Sequence, residues 1–238
     1  MRVVTWNIQH ARPNPDGAPD IGAVGDALGP LSADVVALQE LDRGRRRSAR
    51  VDQPTALAER LGGSLLFAPT LQRGGDYGIG LIARGEVRRH EVVGLSGTRE
   101  PRALLVAEVD VDGERWTVGC THLSRRTGFA QQQLLRVFDA LAAHPAPRVL
   151  MGDLNLVPTK VLPWSSAEGY TLVDGPPTHS TRRARVTRRI DHVLVHGARA
   201  DRASVHQLPA SDHRAVVADL TWSLPKASDY RSSASPLA

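Results

Sequence analysis

The residues of this chain able to do chemistry come in small polar groups: Asn7, Gln39-Glu40, Thr121-His122, Asp153 with Asn155, Asp191-His192 and Asp212-His213. Carboxylates and amides supply the hard oxygen donors that a cation such as Mg²⁺ takes. A carboxylate beside an imidazole fixes its tautomer and can hold or move a proton. Asp153 and Asn155, two apart after Gly152, project to one side of extended chain. Alone they read equally as an Asx-type turn whose side chains cap their own backbone.

What separates these groups from scattered polar residues is the element in front of or behind each one. Val149-Leu150-Met151 follows Pro147 and Arg148 as a short, doubly buried strand, too brief for a helix. Val3-Val4-Thr5-Trp6 runs into Asn7, Val35-Val36-Ala37-Leu38 into Gln39-Glu40, and Thr117-Val118-Gly119-Cys120 into Thr121-His122. Asp191 and Asp212 stand just before Val193-Leu194-Val195 and Ala215-Val216-Val217. Buried strands that converge their polar ends imply a shared site, because a set of buried carboxylates is tolerable only beside a cation or a hydrogen-bonded His.

Between these strands the pattern predicts a helix over 21–31 weakened by Gly and Pro, and a second one capped by Asp52 and ended by Gly62-Gly63. An antiparallel strand series runs from Leu65 to Cys120, with Asp112-Gly113 as its clearest hairpin signal. Residues 128–143 form the best amphipathic helix. Residues 158–166 read as short irregular helical turns and 174–189 as a surface loop beside a groove. The fold class expected is α/β: a four-layer α/β sandwich, two packed mostly antiparallel sheets with helices on the outer faces. One domain is expected over residues 1–224, with a disordered Ser-rich tail over 225–238.

Composition sets bounds. Hydrophobic residues make up 41% of the chain, and no apolar run approaches the ~20 residues that span a bilayer, so no membrane span is expected. Val3 already begins a structural strand and Cys120 is the single cysteine, so a cytoplasmic location and no internal disulfide are expected. A monomer is the default assembly. The net charge of +5 is carried by Arg, with Lys160 and Lys226 the only lysines. Arg is the bidentate phosphate fork, and the clusters Arg43, Arg45, Arg46, Arg47, Arg50 and Arg182, Arg183, Arg185, Arg188, Arg189 flank candidate site residues. An Arg-for-Lys composition bias accounts for the same counts. From the two clusters, Arg45, Arg46, Arg47, Arg188 and Arg189 are the candidates for substrate binding.

Taken in order, Thr5-Trp6-Asn7, Leu38-Gln39-Glu40, Tyr77-Gly78-Ile79-Gly80-Leu81, Thr121-His122-Leu123, Gly152-Asp153-Leu154-Asn155, Ile190-Asp191-His192 and Ser211-Asp212-His213 resemble the endonuclease/exonuclease/phosphatase superfamily over about residues 1–222. This is the fold of pancreatic deoxyribonuclease, abasic-site nucleases, sphingomyelinases and inositol-phosphate phosphatases.

The resemblance implies a Mg²⁺-dependent phosphodiesterase, with Mn²⁺ able to substitute. It implies Glu40 as principal metal ligand, supported by Asn7 and with Asp212 closing the site. Asp153 becomes the general base or water-positioner, Asn155 orients the phosphate or the water, and His122 donates to a phosphate oxygen. Asp191 would hold His213, whose protonated ring faces the phosphorus. His192 would point the other way, Asp42 would lie on the side of Glu40 if the strand continues, and His10, His179 and His206 are unassigned. Nucleic acid is the leading substrate. A lipid headgroup, sugar phosphate or cyclic nucleotide is the enzymatic alternative, and a non-catalytic binding module the alternative of another class. Thr121-His122-Leu123 stands where abasic-site members carry a Tyr motif, which counts against that specialisation.

Overall fold

A computed structural model describes residues 1–12, 18–96, 100–180 and 187–223. The Ser-rich tail, its expected boundary and Arg182, Arg183 and Arg185 lie outside the described residues. In chain order the elements are β1 (Arg2–Asn7), α1 (Ile21–Leu28), β2 (Val35–Arg43), α2 (Gln53–Leu61), β3 (Ser64–Gln72), β4 (Asp76–Ala83), β5 (Glu86–Leu95), β6 (Arg102–Val111), β7 (Glu114–His122), α3 (Thr127–Ala142), β8 (Arg148–Asp153), α4 (Pro158–Ala167), β9 (Thr171–Leu172), β10 (His179–Ser180), β11 (Thr187–Arg188), β12 (Asp191–His196), β13 (Ala198–His206) and β14 (Ala215–Trp222).

Two mixed six-stranded sheets result, in the orders β13-β14-β1-β2-β4-β3 and β5-β6-β7-β8-β12-β9. At the centre of each lies one parallel pair, β1 with β2 and β7 with β8, and the other pairings within the two sheets are antiparallel. Each parallel pair is bridged by a helix, α1 or α3, as a parallel crossover requires.

Side-chain alternation then builds three apolar layers. Val3, Val35, Ala37, Val118, Cys120, Val149, Met151, Val193 and Val195 meet between the sheets. On the outer face of the first sheet, Val4, Trp6, Val36 and Leu38 pack on Val24 and Leu28 of α1 and Leu57 and Leu61 of α2. On the other side Leu104, Val106, Leu150 and Leu194 pack on α3 through Leu134, Val137, Phe138 and Leu141 and on α4 through Val161. This is the expected four-layer sandwich.

Four local expectations change. The segment 174–189, expected as a surface loop, contains a separate antiparallel ladder of β10 with β11. The first helix ends at Leu28, and Gly29–Leu31 tighten into a 3₁₀ turn because Pro30 has no N–H to continue the ladder. Residues 158–167 form one continuous helix, with Pro158 in its first turn where no N–H is needed. Residues 198–206 form an unforeseen edge strand, β13, whose alternating charged and small residues carry no apolar signal.

The glycine of Gly152-Asp153 has a packing reason. Its φ is +146°, and a Cβ there would sit 1.9 Å from the Thr121 carbonyl oxygen of the parallel neighbour β7. Gly152→Ala is therefore expected to cost about 2–4 kcal/mol in chemical denaturation, the range of severe steric and backbone substitutions. A loss below ~0.5 kcal/mol would show that β7 and β8 can part without cost.

Candidate active site

The inward parity that buries Val3 and Thr5 also carries Asn7 to the seam between the sheets. Along the other strands it carries Gln39 after Val35 and Ala37, His122 after Val118 and Cys120, Asp153 after Val149 and Met151, and Asp191 before Val193 and Val195. Strand pairing sets them side by side: Asn7 opposite Gln39, His122 opposite Asp153, and Asp191 opposite Asp153. Gln39 stays in the core, where its amide donates to Thr5 Oγ1 (3.1 Å) and faces Cys120 Sγ (3.5 Å).

Glu40 departs from this parity. Its φ is +60°, and the pairing of β2 with β4 slips by one residue between Leu38 and Leu41. This bulge turns the Glu40 carboxylate into the cleft and sends Asp42 elsewhere. Asp42 is buried under Arg47, which donates from Nε and Nη2 at 2.7 Å each, and also accepts from the Ser48 hydroxyl. It does not face the cleft.

Asn7 joins the two sheets chemically. Its Nδ2 donates to Glu40 Oε1 (3.1 Å) and to Asp153 Oδ2 (3.1 Å). Asp153 Oδ1 accepts from the Asn155 backbone N–H at 2.9 Å, the Asx arrangement, and Asn155 Nδ2 donates to the Leu123 carbonyl at 3.1 Å. His122 Nε2 stands 3.4 Å and His213 Nε2 3.8 Å from Asp153 Oδ2. Asp191 receives His213 Nδ1 between its two oxygens (3.0 and 2.9 Å), which leaves Nε2 facing Asp153 and, at 4.0 Å, Asp212. Trp6 Nε1 donates to the His213 carbonyl (3.0 Å) and fixes that backbone.

Burial sets the electrostatics. Desolvation, then the neighbouring Asp191 charge, pushes Asp153 up to about 7. Desolvation also holds His122 far below the usual imidazole range, with Arg102 and His213 adding to it. For His213 burial acts downward, but the carboxylates of Asp191, Asp153 and Asp212 outweigh it and push the ring up to about 10. His192 is turned away from the cleft, with its Nε2 2.7 Å from the Leu156 carbonyl and burial lowering it to about 4.

A cleft of about 550 Å³ gathers Glu40, His122, Asp153, Asn155, Asp212 and His213 of the sequence candidates. Asn7 and Asp191 lie just behind, joined by the hydrogen bonds given above. Of the five arginine candidates only Arg188 lines it. Arg47 and Arg45 are turned to Asp42, Arg45 also reaches the Gly75 carbonyl, and Arg46 is exposed outside the lining. Arg189 is tied to Asp174 and the Val173 carbonyl.

The lining adds Gln9, Glu100, Arg102 and Arg125, none of them a sequence candidate, together with Tyr77 of the Tyr77–Leu81 motif and the unassigned His179. Arg102 carried the same signal as the acids, a charged residue opening an apolar strand. It pairs with Glu100 (3.1 Å), and its Nε is buried without a hydrogen-bond partner among the described residues. His10 stands 3.3 Å from Glu40.

The donors suit a divalent cation. Glu40 and Asp153 approach each other through a neutral amide rather than a guanidinium, and oxygen donors of this kind match Mg²⁺. Two His-containing groups, Asp153-Asp191-His213 and His179-Asp212-His213, each place one ligand atom per residue within 4.8 Å of the others.

The sequence profile of the Endonuclease/Exonuclease/phosphatase family matches residues 4–213. No curated protein matches the chain in sequence. Among solved structures it is similar to an endonuclease/exonuclease/phosphatase from Beutenbergia cavernae, with 28% identity, TM-score 0.77, and 93% of this chain and 71% of that one covered. It shares its fold with D. rerio TDP2 in complex with a single-strand DNA product (19% identity, TM-score 0.73, 93% and 98% covered). The fold also recurs in an endonuclease/exonuclease/phosphatase from Bacteroides vulgatus (17% identity, TM-score 0.76, 93% and 98% covered). With its motifs converging on one acidic cleft inside the matched region, the chain belongs to the Endonuclease/Exonuclease/phosphatase family of metal-dependent phosphoric ester hydrolases.

Proposed function

We propose that this chain is a Mg²⁺-dependent phosphodiesterase acting on nucleic acid. The observation that supports it most is the hydrogen-bonded line Glu40–Asn7–Asp153 facing His213, itself held by Asp191, across one cleft. Glu40, with Asn7 beside it, would hold the cation, which when bound neutralises charge on a non-bridging phosphate oxygen. Asp212, set beside His213 rather than Glu40, would close the far side.

Asp153 is tuned near neutrality by burial and accepts the proton of the attacking water. Asn155, pinned by the Asp153 and Leu123 contacts, orients that water or the phosphate. His213 carries its proton at neutral pH and meets the charge that develops on phosphorus oxygens. Neutral His122 offers an N–H to a phosphate oxygen. Arg125 and Arg188 at the cleft lining fit a polyanionic backbone, and the relative from D. rerio was seen with a DNA product. A compact phosphoester is the second reading, favoured by a cleft of only about 550 Å³. No helix among the described residues is long and apolar enough to cross a membrane.

Purified protein with Mg²⁺ is expected to cleave single- or double-stranded DNA or RNA in preference to small phosphoesters. Turnover of small esters alone would remove nucleic acid from the assignment. Glu40→Gln, Asp153→Asn and His213→Ala should each lower kcat by at least ~10², the scale of general acid–base and electrostatic contributions. Full activity in Glu40→Gln at limiting Mg²⁺ would move the metal elsewhere.

The arginines separate binding from framework. Replacing Arg125 and Arg188 together by Ala should raise KM for an oligonucleotide and flatten the salt dependence of binding by up to ~0.7 per lost single-strand phosphate contact. Arg46→Ala should change neither. Arg47→Ala should instead cost about 1–2 kcal/mol of stability, because it strips a buried carboxylate of one partner that is itself half-exposed. A KM effect confined to Arg46 would return the binding role to the other cluster.

The His213 proton has a signed consequence. Its folded pKa of about 10 lies above the ordinary 6.5, so it contributes stability fully present below 6.5 and lost as pH rises through about 10. Metal-free protein should therefore melt at falling temperature across pH 7–10, and Asp191→Asn should flatten that slope. Equal slopes in the two proteins would disconnect Asp191 from the His213 charge.

A further inference from the structure

His179 has no task in the scheme above, yet its surroundings are built. An antiparallel bridge pairs its backbone with that of His213, and Arg214 N donates to the Thr178 carbonyl at 2.7 Å, so the two segments hold a fixed register. The rings of His179 and His213 lie 4.5 Å apart at a 51° tilt. His179 Nδ1 is buried with no hydrogen-bond partner among the described residues. Its Nε2 faces the Asp212 carboxylate at 3.6 Å, longer than a hydrogen bond. An imidazole is thus aimed at a carboxylate and a second imidazole with neither nitrogen well satisfied.

We propose that His179, Asp212 and His213 form a site for a transition-metal dication of the Zn²⁺ class, distinct from the Glu40–Asn7 position, whose occupancy inhibits the enzyme. The three ligand atoms lie within 4.8 Å of one another, with His213 Nε2 4.0 Å and His179 Nε2 3.6 Å from Asp212 oxygens. Tetrahedral ligands at Zn–N and Zn–O lengths of about 2.0–2.2 Å stand roughly 3.4 Å apart, and since the two Asp212 distances run to different oxygens, pairs of ligand atoms must close by up to about 1.4 Å. Two imidazoles and one carboxylate select zinc, cobalt or copper over Mg²⁺, which prefers all-oxygen surroundings.

Asp191 completes the arrangement. By accepting from His213 Nδ1 at 2.9 Å it presents Nε2 outward, the orienting pattern of metal-bound histidines. Three protein ligands leave a fourth position open to water or phosphate. A metal on His213 Nε2 displaces the proton there to solvent and so removes the N–H that would otherwise face the substrate phosphate, and inhibition follows from that exclusion. This consequence rests on the proposed phosphodiesterase reading; the binding itself does not.

The test uses the full chain. Co²⁺ added to wild-type protein in millimolar Mg²⁺ should give a visible d–d band at one equivalent, displaced by one equivalent of Zn²⁺ in calorimetric titration. His179→Phe should lose the band and at least tenfold in Zn²⁺ affinity. His179→Gln, which keeps volume and polarity, serves as the second variant, and melting curves confirm that both fold. Zn²⁺ at micromolar concentration should suppress each protein's own Mg²⁺-supported hydrolysis at least tenfold in wild type and less than twofold in the variants. Absence of the Co²⁺ band, or unchanged Zn²⁺ affinity in both folded variants, overturns the site. A band with undiminished hydrolysis overturns the inhibition. Lack of any hydrolysis without Zn²⁺ leaves the calorimetric arm to decide the site and counts only against the phosphodiesterase reading.

Discussion

Everything near the cleft answers to one constraint: Asp153 and Asp191 occupy the same rung of β8 and β12, Asp191 fully buried and Asp153 nearly so, with only an edge on the cleft. Two like charges in such a place are costly unless a cation is shared. His213 meets that need, clasped by Asp191 and within 3.8 Å of Asp153. Holding His213 there enlists the other sheet. Ser211 Oγ donates to the Asn7 carbonyl (2.6 Å) and accepts from His213 N (3.0 Å), and Trp6 Nε1 takes the His213 carbonyl. The ends of β1 and β14 in one sheet are thereby fastened around a charge problem that originates in the other.

The backbone records a related cost. Gln9, Glu40 and Asn155, all lining the cleft, have φ of +47°, +60° and +52°. Left-handed conformations in residues other than Gly cost about a kilocalorie or more each and persist where the surroundings over-determine them. For Glu40 the compensation is visible in the Asn7 amide on its carboxylate. For Asn155 it is the paired contacts to Asp153 and Leu123. Other positive-φ residues, among them Ser32, Ala49 and Asp112, stand at turns and helix ends outside the cleft lining, so it is the placement of these three that ties strain to the site.

The legible part of the sequence was the part governed by alternation. Buried strands announced themselves as apolar runs, so the ends of β1, β2, β7, β8 and β12 and the residues they carry could be placed without coordinates. What alternation cannot see is a break in itself. The one-residue bulge after Leu38 reverses the side on which Asp42 lies, and no residue there differs from an ordinary strand. The arginines were illegible for another reason. Side-chain length lets Arg47 fold back to Asp42 five residues away, and sequence proximity to Glu40 says nothing about that choice. His179 lay in a segment read as loop, and only its bridge to His213 gives it a position.

The cleft sets an acidic floor inside a chain of net charge +5. Asp153, Asp191, Asp212 and Glu40 lie at or just under its base, while Arg102, Arg125 and Arg188 line it with them. A phosphate approaching from solvent is attracted by the guanidinium groups and repelled by the floor, and the balance changes when a dication sits on the floor. The lining arginines with His213⁺ alone offset the carboxylates only in part, since the buried Arg102 is already paired with Glu100. Under the proposed function, phosphate binding in such a cleft is conditional on metal, because the acids that would hold the metal are the same ones that would repel the substrate without it.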